Sequence, residues 1–179
     1  MGFRYADAFL EAYQSKMRKK LGLKEYRKEE TQKLLKLMAA DKADFTNLFR
    51  HLSNVPSGAD VEDADLLKPL ETVLGPLSPE RRKEWVHWLK WYSTELKREG
   101  VSDLERKEGM DAVNPKYILR NYLAQTAILA AEKGDMSEIK KLHEVLRRPF
   151  MEQEGVEEYA GKAPEWSKKP GVSLLSCSS

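Results

Sequence analysis

Apolar side chains recur along this chain at three- and four-residue intervals, the spacing that gathers them on one face of an α-helix. Tyr5, Phe9, Tyr13 and Met17 fall four apart, with Leu10 and Leu21 beside them. Gly22 stands where a left-handed cap would end that helix. Leu34, Leu35, Leu37 and Met38 mark a second helix, and Phe45, Leu48, Phe49 and Leu52 a third, with Asp41 or Asp44 near its start. Ser78-Pro79-Glu80 joins a capping hydroxyl, a proline tolerated in the first turn and a carboxylate at the positive end of the helix dipole. The stripe Trp85, Trp88, Leu89, Tyr92 and Leu96 follows, and Gly100 closes it. Ser102 and Asp103 open a short helix to about Val113. Asn114-Pro115 repeats the cap-then-proline start for a helix carrying Ile118, Leu119, Tyr122, Leu123 and Ile128 as far as Lys133, with Gly134 as its stop. Asp135 and Glu138 have the spacing of a capping box. The helix after them uses Ile139, Leu142, Val145 and Leu146 and ends before Pro149.

Two stretches break the period. Residues 54–77 contain Pro56, Ser57, Gly58, Pro69, Gly75 and Pro76 and read as an internal linker. A short helix fits around Val61 to Leu67, with Pro69 ending or kinking it. From Pro149 to Ser179 there is no helical period, yet Phe150, Tyr159, Trp166, Val172, Leu174 and Leu175 are more large apolar groups than a disordered tail carries. The expectation is an all-α fold, an irregular bundle of about six to eight helices. Its helical body covers 1–148, and an extended C-terminal tail, 149–179, packs on that body.

Composition narrows the class. A chain of 179 residues is long enough for one domain with a real core. Lys plus Arg number 31 and Asp plus Glu 29, a net charge of +2, which argues against a nucleic-acid partner. The basic run from Lys16 to Lys28 has seven cations opposed only by Glu25, but Glu29 and Glu30 follow at once, and it reads as a solvated face. No apolar run approaches the roughly 20 residues of a membrane span. The start Met1-Gly2-Phe3-Arg4-Tyr5 lacks a signal-peptide core, and Ala6 stands where an N-acylation motif needs Ser or Thr. One cysteine, Cys177, leaves no internal disulfide and points to a reducing compartment.

Candidate chemistry is sparse. His51, His87 and His143 lie far apart, and none has a second His or Cys at metal-ligand spacing. Phosphate-binding glycine loops and serine elbows are absent from the sequence. Trp85, Trp88 and Tyr92 could stack on bases, but their helical spacing fits a core. The segment NPKYILRNYLAQ at 114–125 reads as a capped amphipathic helix with Lys116, Arg120 and Asn121 on its polar side. Cys177 is the only soft nucleophile. By these residues no catalytic, cofactor-binding or metal site is complete.

Several of these segments together resemble the selenoprotein O family. NPKYILRNYLAQ at 114–125 is similar to a signature near that family's C-terminus. So are Ala130-Ala131-Glu132-Lys133-Gly134-Asp135 and, downstream, Leu142, Val145-Leu146 and Pro149. The end Leu175-Ser176-Cys177-Ser178-Ser179 matches a family terminus in which Cys or selenocysteine precedes two serines. Lys20-Leu21-Gly22-Leu23, Asp44-Phe45-Thr46, Phe49-Arg50 and Leu52-Ser53 extend the likeness over nearly the whole chain, weakening only at 54–77.

The resemblance implies a larger protein adenylyltransferase of kinase-like fold that moves AMP from ATP, with magnesium or manganese, to protein hydroxyls. The family's nucleotide, metal and catalytic residues lie upstream and have no matching positions here. Only Cys177, at the selenocysteine position, carries over, with a redox role implied. The partner implied is the upstream kinase-like core of the same protein. The compartment implied is mitochondrial in a eukaryote and cytoplasmic in a bacterium. Two other readings stand beside this one: a free-standing helical interaction module without catalysis, and a nucleic-acid adaptor using Lys16 to Lys28.

Overall fold

The first predicted helix forms as α1, Gly2–Lys20, in a computed structural model that describes residues 2–168. Its end is a Schellman motif: the Leu23 amide donates to the Arg18 carbonyl at 2.9 Å and the Gly22 amide to Lys19 at 3.1 Å. Gly22 takes φ +65°, as expected of that cap. Helix α2, Lys28–Ala40, buries Leu34, Leu37 and Met38. Helix α3, Phe45–Leu52, is capped by Asp44, whose carboxylate accepts from the Asn47 amide at 2.9 Å.

Residues 54–77 are not a linker. They fold into α4 (Asp63–Leu67), a 3₁₀ turn (Lys68–Leu70) and α5 (Glu71–Leu74). Val55, Leu66, Leu67, Leu70 and Val73 all lie in the core. The prolines and glycines masked a helical spacing at 66, 67, 70, 73 and 74. Pro69 sits in the first turn of the 3₁₀ segment, where an N–H would have no partner within the segment and its loss is tolerated.

Helix α6, Pro79–Glu99, is capped by Ser78 and closed by Gly100 at φ +72°. It is the central helix of this core. Trp85, Trp88, Leu89, Tyr92 and Leu96 are all buried along it, and the Tyr92 hydroxyl donates to the Leu21 carbonyl at 2.7 Å. Burial pushes the Tyr92 phenol well above its ordinary pKa, so it stays a donor. Helix α7, Asp103–Asp111, follows the Ser102 cap.

The helix expected from Asn114-Pro115 begins later, as α8, Asn121–Ala131. Asn114 does not cap it. Its fully buried amide donates to the Lys20 carbonyl at 2.9 Å and accepts from the Lys20 ammonium at 3.0 Å. The amides of Lys116 and Tyr117 both donate to the Pro149 carbonyl, at 2.8 and 3.1 Å. Those bonds hold 115–120 out of helix. Helix α9, Ser137–Leu146, comes after a turn in which Asp135 accepts from the Ser137 amide at 2.8 Å, one residue short of a capping box.

The chain divides into two compact units at Asn114 and Pro115, and the division expected at 148/149 falls inside the second. In that second unit α8 and α9 form a helical hairpin around Tyr117, Ala127, Leu142 and Val145. The described part of the tail closes over it. Tyr159 is buried in the same cluster, and its hydroxyl donates to Glu138 at 3.0 Å. Gln153 donates to the carbonyls of Val145 and Arg148, both at 3.0 Å, at the end of α9. Rather than running extended, the described part of the tail turns through 3₁₀ segments at Glu157–Ala160 and Glu165–Lys168. Among the described residues there is no strand, and no helix is long and apolar enough to cross a membrane.

Candidate functional site

The apolar row that predicted α1 is buried only at its C-terminal end. Met17 and Leu21 enter the core, whereas Tyr5, Phe9 and Leu10 are 77%, 60% and 52% exposed. Three large apolar groups on one helical face normally indicate a surface that something else covers. A comparable face occurs in the second unit. Helix α8 contains no charged residue, yet it buries only Tyr122 and Ala127 and leaves Ile128 and Leu129 open.

The basic run is largely answered from within. Lys20 is clasped by Asn114 and lies over the Phe45 and Phe49 rings at 5.7 and 5.5 Å. Burial lowers its ammonium pKa. Lys24 donates to the Glu99 carbonyl at 2.7 Å, and Arg18 to the Lys24 carbonyl at 3.0 Å. Arg27 pairs with Glu95 at 2.8 Å and with Glu25 at 3.0 Å. Glu95 also accepts from Arg98 at 2.6 Å, and that bond is the main reason its carboxyl pKa falls. Four of the run's seven cations, Arg18, Lys20, Lys24 and Arg27, are thus engaged within the chain, and Arg27 is the one in an ion pair among the described residues.

A groove of about 570 Å³ runs between α2 and α6. One end is fixed by Asp41, which accepts from Arg81 at 2.7 Å and from the Trp85 indole at 2.7 Å. The Arg81 bond leads in holding the Asp41 carboxyl below the usual range. The Trp88 indole donates to the Glu30 carbonyl at 2.9 Å and holds that ring in the groove floor. Buried donors with fixed partners make the groove preformed.

The histidines are dispersed. His51 bonds the Pro69 carbonyl through Nδ1 at 2.9 Å, His87 is at the groove and His143 is on the exposed side of α9. Among the described residues no three His, Cys, Asp or Glu side chains are grouped to hold a metal ion. Trp85, Trp88 and Tyr92 are core, Lys116 pairs with Glu152, and Asn121 is exposed at the start of α8. Cys177 lies outside the described residues. Sequence reasoning missed the groove and the Asn114 clasp, because both depend on partners remote in the chain.

The family described as "Protein adenylyltransferase SelO" matches residues 3–147. The chain is 38% identical over 191 residues to the protein nucleotidyltransferase YdiU of Rhodopirellula baltica, a match covering 98% of this chain and 35% of that protein. With the protein of the same name from Salmonella arizonae it shares 39% identity over 176 residues, covering 97% of this chain and 34% of the relative. The chain thus spans about a third of the length of the curated relatives it matches.

Proposed function

The chain belongs to the SelO family of protein adenylyltransferases, and from that premise we propose that it is the helical C-terminal region of such an enzyme. Its task is to pack against an upstream kinase-like core and support it. The whole protein transfers AMP from ATP to hydroxyl side chains of other proteins, with ATP and magnesium or manganese held by that core. The observation that carries this reading is the open face of α1, where Tyr5, Phe9 and Leu10 wait for a partner surface. A match to only a third of each relative agrees with it.

Titration of this chain with ATP and magnesium in a calorimeter is expected to give no saturable heat. Saturable binding would place a nucleotide site among these helices and overturn the reading.

The terminal Cys177 adds redox control to the enzyme in this proposal, since a thiol can be oxidised and reduced again. Cys177→Ser in the full-length enzyme is expected to remove the oxidant sensitivity of AMP transfer. Unchanged sensitivity would dismiss the redox role and leave the supporting role standing.

A further inference from the structure

The groove between α2 and α6 has a chemistry that the supporting role does not use. Its floor is apolar, formed by Leu37, Ala40 and Trp88. Its walls carry four cations, Lys33 and Lys36 from α2 and Arg81 and Lys83 from α6, against one carboxylate, Glu84. Two of the cations are already engaged: Lys33 pairs with Glu30 at 2.6 Å, and Arg81 with Asp41 and Glu84 at 2.7 and 2.5 Å. For Lys36 and Lys83, one on each wall and both exposed, the described residues show no ion pair. The result is an apolar trough between two open positive charges.

The volume of about 570 Å³ lies within the usual range for ligand sites. The groove's lining residues follow helical stripes: Lys33, Leu37 and Ala40 on α2, and Arg81, Glu84 and Trp88 on α6. A stripe of that kind suits an extended or helical segment better than a compact small molecule.

We propose that this groove docks an acidic segment of a separate protein, with apolar side chains seated on Leu37, Ala40 and Trp88 and flanking carboxylates reaching Lys36 and Lys83. Charge complementarity selects the occupant. A basic segment would meet like charge on both walls, and a neutral one would leave the two lysines unused. The inference stands on the groove alone and does not depend on the adenylyltransferase reading.

The test uses the 179-residue chain and a fluorescent synthetic helical peptide with leucines on one face and glutamates flanking them. A second peptide carries lysines in place of the glutamates. The glutamate peptide is expected to bind saturably, more weakly as salt rises, and the lysine peptide to bind at least about tenfold more weakly. The double variant Lys36→Glu/Lys83→Glu should reverse the preference while keeping its melting temperature, since both side chains are exposed. No binding, equal binding of the two peptides, or binding untouched by the double variant would each overturn the proposal. So would self-association of the chain that the double variant abolishes, which would assign the groove to a second copy.

Discussion

Trp85→Ala is expected to destabilise the first unit by about 3–5 kcal/mol, the range for truncating a buried tryptophan. The indole is fully buried on α6, so nothing in solvent fills the space it leaves. A second loss adds to the cavity. The indole N–H donates to Asp41 at 2.7 Å, and Asp41 also receives Arg81 at 2.7 Å. Removing the donor loosens the carboxylate that fixes the end of the groove. In a protein of this size each kcal/mol lowers the melting temperature by roughly 2–4 °C, so a shift of roughly 6–20 °C follows. Trp85→Phe retains most of the apolar volume but not the donor, and should lose about 1–3 kcal/mol. Circular dichroism melting of the two variants separates the contributions. A loss below about 1 kcal/mol for the alanine variant would mean that Trp85 is not packed as described.

Gly22→Ala is the second large effect. The glycine sits at φ +65°, where an L-residue costs about 1–2 kcal/mol. It is also crowded. A methyl group there would stand 2.7 Å from the Met110 sulfur and 2.9 Å from Cγ of Arg106, both on α7. Overpacking of that kind typically costs a further 1–3 kcal/mol, giving about 2–5 kcal/mol in all. Gly100 is the control. It has a similar φ of +72°, but open space surrounds the position of the missing methyl. Gly100→Ala should therefore show the backbone cost alone, about 1–2 kcal/mol. Urea unfolding of both variants at matched slopes would measure the gap. Equal losses at the two sites would show that α1 and α7 do not approach closely at Gly22.

Gly22 also illustrates what the sequence made legible. Its cap role follows from a local pattern, an apolar row that stops at a glycine, and the structure places it in a Schellman motif. The starts at Ser78 and Ser102 were readable for the same reason, and that of α3 as far as a choice between Asp41 and Asp44, because each cap bonds an amide three residues on. Asn114 shows the limit. It has the residue type and the following proline of a helix start, but its amide is spent on Lys20, 94 positions away. No local pattern carries that information. Residues 54–77 failed differently. Their turn residues are real, but Leu66, Leu67, Leu70, Val73 and Leu74 lie among them at helical spacing. Weighing punctuation above periodicity concealed a piece of the core. The groove was out of reach for a third reason: Lys36 and Lys83 belong to different helices, and only the packing of α2 on α6 brings them to one trough.

The Asn114 clasp sets a schedule during synthesis. The residue that holds the end of α1 is the last residue of the first unit, so the clasp cannot form until the ribosome has released it. At elongation rates of about 5–20 residues per second, the 94 residues from Lys20 to Asn114 take roughly 5–20 s to appear. For most of that interval, until α6 has appeared, Met17 and Leu21, which the finished unit buries, lack neighbours such as Tyr92, whose hydroxyl bonds the Leu21 carbonyl. A nascent chain stalled before α6 would offer these residues to chaperones, and one from which Asn114 has been released would have withdrawn them and locked the end of α1.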